Sequence, residues 1–321
     1  MLCRPTRQGR WVEAGTRSGA PVAALHVSPL RRMTVDRAHG ALAAPAPPPP
    51  QPADVYPTDA YPAVGITVRR VATLAEYQEC VAIQEETWGI GFRELVPPAI
   101  LMAAQKLGGV CAAAFARDGR MLGFVFGLTG VTDGALTHWS DLLAVRAEAR
   151  GAHLGERLKR YQRELVLEVG AHTMFWTFDP LVARNAYLNL VRLGARAVRY
   201  VPNMYGDNTG SPLHGALATD RFVAEWDLDA SVDHAPSGRD AGPVVNSTTP
   251  NGRPTLDGLP EAPRVRIAVP RDLESLAADD RAAWRAVTRE AFLAYLERGY
   301  AVVGFDRGDE ERLPTYELER S

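Results

Sequence analysis

The pattern of apolar and polar positions divides the chain into a stretch without regular periodicity, up to residue 62, and a remainder that is periodic almost throughout. Residues 66–71 predict a strand. Thr73 and Glu76 then make a capping box, opening a helix along which Tyr77, Cys80, Val81, Gln84 and Trp88 recur at helical spacing. Gly89 breaks it. Pro97-Pro98 starts a second helix, where the missing N–H costs nothing, and Gly108-Gly109 stops it. Three strands are predicted at 110–116, 121–128 and 136–145, the first two joined by a turn at Arg117-Asp118-Gly119-Arg120. A helix over 155–169 places Leu158, Tyr161, Leu165 and Val169 on one face. A strand at 174–178, a helix at 183–193 capped by Gly194, and strands at 197–202 and 222–228 follow. This order predicts antiparallel hairpins first and parallel crossovers in the second half.

The periodicity also predicts the domain organisation. Residues 1–62 carry a proline run at 47–50 and an arginine-rich, acid-poor start, which predicts a disordered tail. A start codon assigned too early, with Met33 as the true one, and an organelle transit peptide stay open beside it. Residues 63–229 form the main domain, and 230–263, rich in Gly, Pro, Ser, Asn and Asp, form a linker. Residues 264–321 carry a strand at 265–269, a helix near 279–298 with Trp284, Val287, Ala291 and Tyr295 on one stripe, and a strand at 300–305. So short a β-α-β extension is marginal as an independent core, and is expected to dock on the main domain.

Composition narrows the function classes. A net charge of −2 lacks the basic excess of a nucleic-acid binder. No run of eighteen apolar residues is long enough for a membrane-spanning helix. The cysteines Cys3, Cys80 and Cys111 are far apart and odd in number, which fits a reducing, cytoplasmic setting and neither a disulfide framework nor a zinc site. The histidines are scattered, so no metal is expected.

The most informative segment runs from Leu142 to Leu158: a buried strand, a turn with glycines at 151 and 155, then an amphipathic helix. Glycines allow close backbone approach, and free N–H groups at a helix start attract phosphate oxygens. With Leu143-Ala144-Val145 followed by Arg150-Gly151-Ala152-His153-Leu154-Gly155, the segment resembles the acyl-CoA-binding turn of the GNAT superfamily of N-acetyltransferases. The resemblance covers about residues 66–228, and His153 stands where that family usually has its middle glycine. Further blocks are similar to a branch of predicted acetyltransferases in the same superfamily, which has no well-established substrate. They are Trp176-Thr-Phe-Asp-Pro-Leu181, Asn185-Ala186, Asn189, Leu193-Gly194, Tyr205-Gly206 and Asp220-Arg221.

The resemblance implies a GNAT-like α/β fold: a mixed, partly antiparallel central sheet flanked by helices. It implies acetyl-CoA as co-substrate, a small-molecule amine as acceptor, and a strand near 142–145 splayed from its neighbour. The pyrophosphate would lie over Arg150–Gly155, with Asn185 and Asn189 toward the pantetheine arm. A base is needed for the amine and an acid for the leaving thiolate. Asp141 is the first candidate base, and Glu85 or Glu86 its rival. His138, an odd number of residues away, belongs on the other face of a regular strand. Many family members carry a tyrosine where this chain has Leu190, so Tyr187 is the candidate acid, with Tyr205 as the alternative. Asp179 serves either as a ligand contact or as a helix cap, and Asp220-Arg221 either as an acceptor-pocket pair or as a structural ion pair. A non-catalytic acyl-CoA sensing protein is the alternative function, and transfer of another acyl group or onto a protein amine a third. A homodimer also stays open.

Overall fold

The computed structural model describes residues 65–206, 208–212, 215, 217–230 and 242–320. The expected tail at 1–62 lies outside them. Among the described residues, the main sheet has seven strands in the order β1-β2-β3-β4-β5-β7-β6. They are β1 Thr67–Arg70, β2 Val110–Phe115, β3 Met121–Thr132, β4 Ala135–Val145, β5 Thr173–Phe178, β6 Arg196–Val201 and β7 Arg221–Asp227. Every neighbouring pair is antiparallel except β4 and β5. The expected parallel relation of β5 and β6 holds in direction only, because β7 inserts between them and pairs with both. The class is therefore mixed α/β with a mostly antiparallel central sheet.

Helices α1 (Leu74–Trp88) and α2 (Pro98–Lys106) cover one face, and α3 (Leu154–Glu168) the other. The capping box opens α1 as expected, with the Glu76 N–H bonded to Thr73 Oγ1 and the Glu76 carboxylate accepting from the Thr73 N–H. Strands β3 and β4 run longer than their apolar pattern predicts. Asp133 (φ 52°) and Gly134 (φ 81°) make a two-residue turn that matches strand twist, so the ladder continues from Leu128 to Thr132. The helix after β5 also differs: α4 is α-helical over Ala183–Ala186 and π-helical over Tyr187–Arg192, where the Leu193 N–H bonds Leu188 O five residues back.

The C-terminal part has one strand more than predicted. Strands β10 (Arg264–Ala268), β12 (Thr315–Arg320) and β11 (Tyr300–Asp306) form an antiparallel sheet with β12 in the middle. Its helix α5 is Ala278–Glu297. Within residues 230–263, the short strands β8 (Asn246–Thr248) and β9 (Pro254–Leu256) pair, and Val244 bridges Arg266. Phe222 of β7 and Tyr200 of β6 meet Phe292 of α5 and Tyr316 of β12, with ring centroids 4.9 to 5.5 Å apart. Burying such side chains contributes about 1.5–3 kcal/mol each. No helix of the described residues is long and apolar enough to cross a membrane.

Candidate active site

The site begins where the main sheet opens. Strands β4 and β5 pair only at His138–Met174 and Trp139–Phe175, so the rest of β4 has no strand on its β5 side. On its other side β4 follows β3 to Val145, with one irregularity: Phe126 pairs with Leu142 and Gly127 with Ser140. Asp141 is thus the extra residue of a β-bulge, and a bulge re-aims the side chain it carries. Sequence reasoning assumed a regular strand here. In the structure His138 and Ser140 are buried toward α3, whereas Leu142 and Ala144 belong to the core under α1 and α2.

Two loops bring polar groups to Asp141. Glu94, in the loop between α1 and α2, interacts with it as a like charge and also feels Arg221. Tyr205, in the loop between β6 and β7, feels Asp141, Glu94 and Arg221 together. Its hydroxyl bonds Thr177 of β5 at 2.8 Å, and the Arg221 guanidinium lies 5.3 Å from its ring centroid. The Tyr205 loop is itself held, since the Tyr205 N–H bonds Thr219 Oγ1 and the Met204 N–H bonds Thr219 O. The two loops also meet, through a bond from the Arg93 N–H to Thr209 O.

The electrostatics of this group are distinctive. Asp141 reaches solvent with part of its surface, but protein surrounds it on most sides. Loss of hydration raises its carboxyl above the usual range, partly offset by a hydrogen bond from Trp139. Burial and the charge of Asp141 raise Glu94 as well. Burial raises the Tyr205 phenol, which keeps its proton at neutral pH. A carboxylate that can accept a proton and a phenol that can donate one therefore lie within electrostatic reach of each other.

Below the bulge, the turn into α3 has the backbone the glycine pattern asks for. Gly151 has φ 87°, and His153 holds the left-handed conformation (φ 55°, ψ 22°) that a glycine would take without strain. Helix α3 starts at Leu154 without a side-chain cap. A Cβ on Gly155 would stand 3.7 Å from Leu143 of β4 and from Leu188 of α4, so these three elements converge there. Arg146 anchors the turn to α1 through Glu79 at 2.5 Å and Glu86 at 3.2 Å. Glu156 ties α3 to the π-helical turn through Arg192 at 3.0 Å. Arg150 is exposed, Ala152 partly buried, Asn185 half-buried and Asn189 buried.

Most of the other predicted residues have partners of their own, and Asp179 joins this group only through Arg221. Glu85 is exposed on the last turn of α1, and Glu86 is engaged by Arg146. Tyr187 is half-buried, with the Arg307 guanidinium of the C-terminal part 4.6 Å from its ring centroid. Asp179 accepts from the Leu181 N–H rather than capping α4, whose N-cap is Val182, and pairs with Arg285 at 2.6 Å and Arg221 at 3.5 Å. Asp220 bonds Tyr200, the Asn203 N–H and Arg289. Glu94 was missed: a glutamate in an irregular loop has no periodicity to mark it. Among the described residues, no group of three or more His, Cys, Asp or Glu is placed to hold a metal ion.

No protein-family model matches the chain, and no curated protein matches it. Among solved structures it is similar to a putative acetyltransferase, yncA, from Salmonella typhimurium with acetyl-CoA, at 18% identity and TM-score 0.42, over 54% of this chain and 99% of that one. It is also similar to Naa50 from Arabidopsis thaliana in complex with a bisubstrate analogue, at 13% identity and TM-score 0.41, over 50% and 98%. An aminoglycoside 6'-acetyltransferase type Ii matches at 16% identity and TM-score 0.41, over 51% and 98%.

Proposed function

We propose that this protein is an acetyl-CoA-dependent N-acetyltransferase acting on a small-molecule amine. The observation that carries the reading is the parting of β4 from β5 beyond Trp139 and Phe175, with the bulge residue Asp141 at the mouth of the gap. Unpaired strand backbone must find hydrogen-bond partners, and an extended amide-bearing arm such as pantetheine supplies them. Residues 142–145 would bind that arm, and the turn from Arg150 to Gly155 with the start of α3 would hold the pyrophosphate. Gly155 has no side chain, and a Cβ there would meet two leucine methyls at ordinary contact distance, so a larger side chain would have to turn outward over the turn.

In this reading Asp141 is the base. Its raised carboxyl keeps it a better proton acceptor than an ordinary aspartate, and Glu94 beside it adds negative charge that draws in a cationic amine. Asp141 takes the proton that makes the amine cationic. The neutral amine then attacks the thioester carbon, the carbon–sulfur bond breaks, and the nitrogen's second proton replaces the one that the departing thiolate receives from Tyr205. Tyr205, held protonated and fixed by Thr177, replaces Tyr187 as the residue that returns a proton to the thiolate sulfur.

Two variants test the reading together. Gly155→Val should weaken acetyl-CoA binding by about tenfold or more, by filling the approach to the turn. Asp141→Asn should bind acetyl-CoA as the parent does while losing about 10²–10⁴ in turnover. Calorimetry with acetyl-CoA and CoA release with a panel of amines measure both. Normal binding by Gly155→Val would remove the phosphate turn from the argument. Binding without turnover in the parent, over the whole panel, would favour a sensing protein instead.

A further inference from the structure

A buried polar chain lies behind the bulge and takes no part in the chemistry above. Ser140 Oγ donates to Gln162 Oε1 at 2.9 Å, and Gln162 Nε2 lies 3.0 Å from His138 Nε2. His138 Nδ1 lies 2.9 Å from Thr129 Oγ1, which itself donates to Gly108 O at 2.7 Å. A threonine hydroxyl has one proton, and that bond uses it. The proton between Thr129 and His138 must therefore come from Nδ1, so the imidazole is the Nδ1–H tautomer with a bare Nε2. That bare nitrogen accepts from the Gln162 amide, which leaves Oε1 to accept from Ser140. Each proton has one place, and each member supports the next. Gly127 confirms how tightly the chain is fitted, since a Cβ there would stand 2.3 Å from His138 Nε2 and 2.9 Å from Gln162 Nε2.

The consequence is a fixed register. In a regular strand residues 138, 140, 142 and 144 share one face. Here the first two bond α3 and the last two enter the opposite core, because Asp141 is the inserted residue. Moving the bulge one position toward the N-terminus would pull Ser140 away from Gln162. Moving it the other way would turn Leu142 out of its core. We infer that Gln162 is a positioning residue: through Ser140 and His138 it locks the β4 bulge at Asp141, so that this carboxylate alone faces the gap. The catalytic consequence rests on the function proposed above, whereas the lock does not.

The test uses the full chain labelled with ¹³C-aspartate, following the Asp141 carboxyl by NMR and assigning it with Asp141→Asn. The parent should titrate above the ordinary value of 3.8. Gln162→Leu removes both bonds at similar volume, and should move that midpoint toward the ordinary value by about half a unit or more. With an acceptor amine, its turnover should fall about a hundredfold while KM for acetyl-CoA stays within about twofold. Ser140→Ala removes a single bond, should shift the midpoint the same way by less, and decides the matter if Gln162→Leu does not fold. A folded variant in which Asp141 titrates as in the parent overturns the lock, whatever its melting temperature. A shifted titration in a protein that turns over no amine upholds the lock and counts against the proposed activity.

Discussion

The two edges of β5 treat their carboxylates in opposite ways. Along one edge β7 pairs with β5 from Thr173 to Phe178. Along the other, β4 pairs with it at two positions only. At the paired edge Asp179 and Asp220 are bonded by Arg285 and Arg289 from α5. At the open edge Asp141 receives a hydrogen bond from Trp139, and its charged neighbour is another acid, Glu94. Burial acts on both edges in the same direction. At Asp220 the bonds from Arg289, Tyr200 and the Asn203 backbone outweigh burial, and the carboxyl is held below its ordinary value. At Asp141 burial wins and the carboxyl rises. The contrast teaches that the donors around a carboxylate, and not burial alone, decide which way its pKa moves.

The largest way to break the contrast is to remove the C-terminal part. A chain ending at Ala230 loses the rings that cover Phe222 and Tyr200 and both arginines of the paired edge. It should give no cooperatively melting protein in thermal unfolding. A truncated chain that melts and binds acetyl-CoA like the parent would show that the main sheet stands without α5. A smaller effect comes from Asp220→Asn, which leaves Arg289 without its partner and weakens the Tyr200 bond. It should cost about 3 kcal/mol in denaturant unfolding, against little or no loss for Asp141→Asn at neutral pH.

The smallest effect separates the edges by pH. Burial, with the charge of Lys159 second, lowers His138 from 6.5 to about 3. Between those values the unfolded chain binds a proton that the folded chain refuses, so stability falls as pH drops below 6.5, by about 2 kcal/mol at pH 5. Asp220, whose folded value is depressed, contributes stability above 3.8 that is lost only as pH falls further. Unfolding free energies of the parent and His138→Gln from pH 8 to pH 3 should therefore diverge first near 6.5. Parallel curves down to pH 4 would show that His138 is free to protonate in the folded state.

Much of the frame was legible because local physics decides it. Thr73 and Glu76 opened α1, Pro98 opened α2, and the apolar faces of α3 and α5 declared themselves by period. The Asp133-Gly134 turn is also a strong hairpin signal in the sequence, although the strand ends beside it are polar. The strand at Thr315–Arg320 was missed because its alternation of Tyr316 and Leu318 with charged residues is short and follows an irregular segment.

What the sequence by itself determined is most of the elements of the main sheet and its helices, the turn from Arg150 to Gly155, and the place of Asp141 just before the buried part of a strand. What only the tertiary structure decided is which residues share a site. The bulge at Asp141 depends on Gln162 from α3 and on the core beneath α1 and α2, and no local pattern records either. Glu94 and Tyr205 come to Asp141 from loops 47 and 64 residues away along the chain, and the arginines that pair with Asp179 and Asp220 come from α5. Periodicity reports how each segment meets its own solvent and core. Proximity between distant segments is set by packing, and packing is where the two edges of β5 became different.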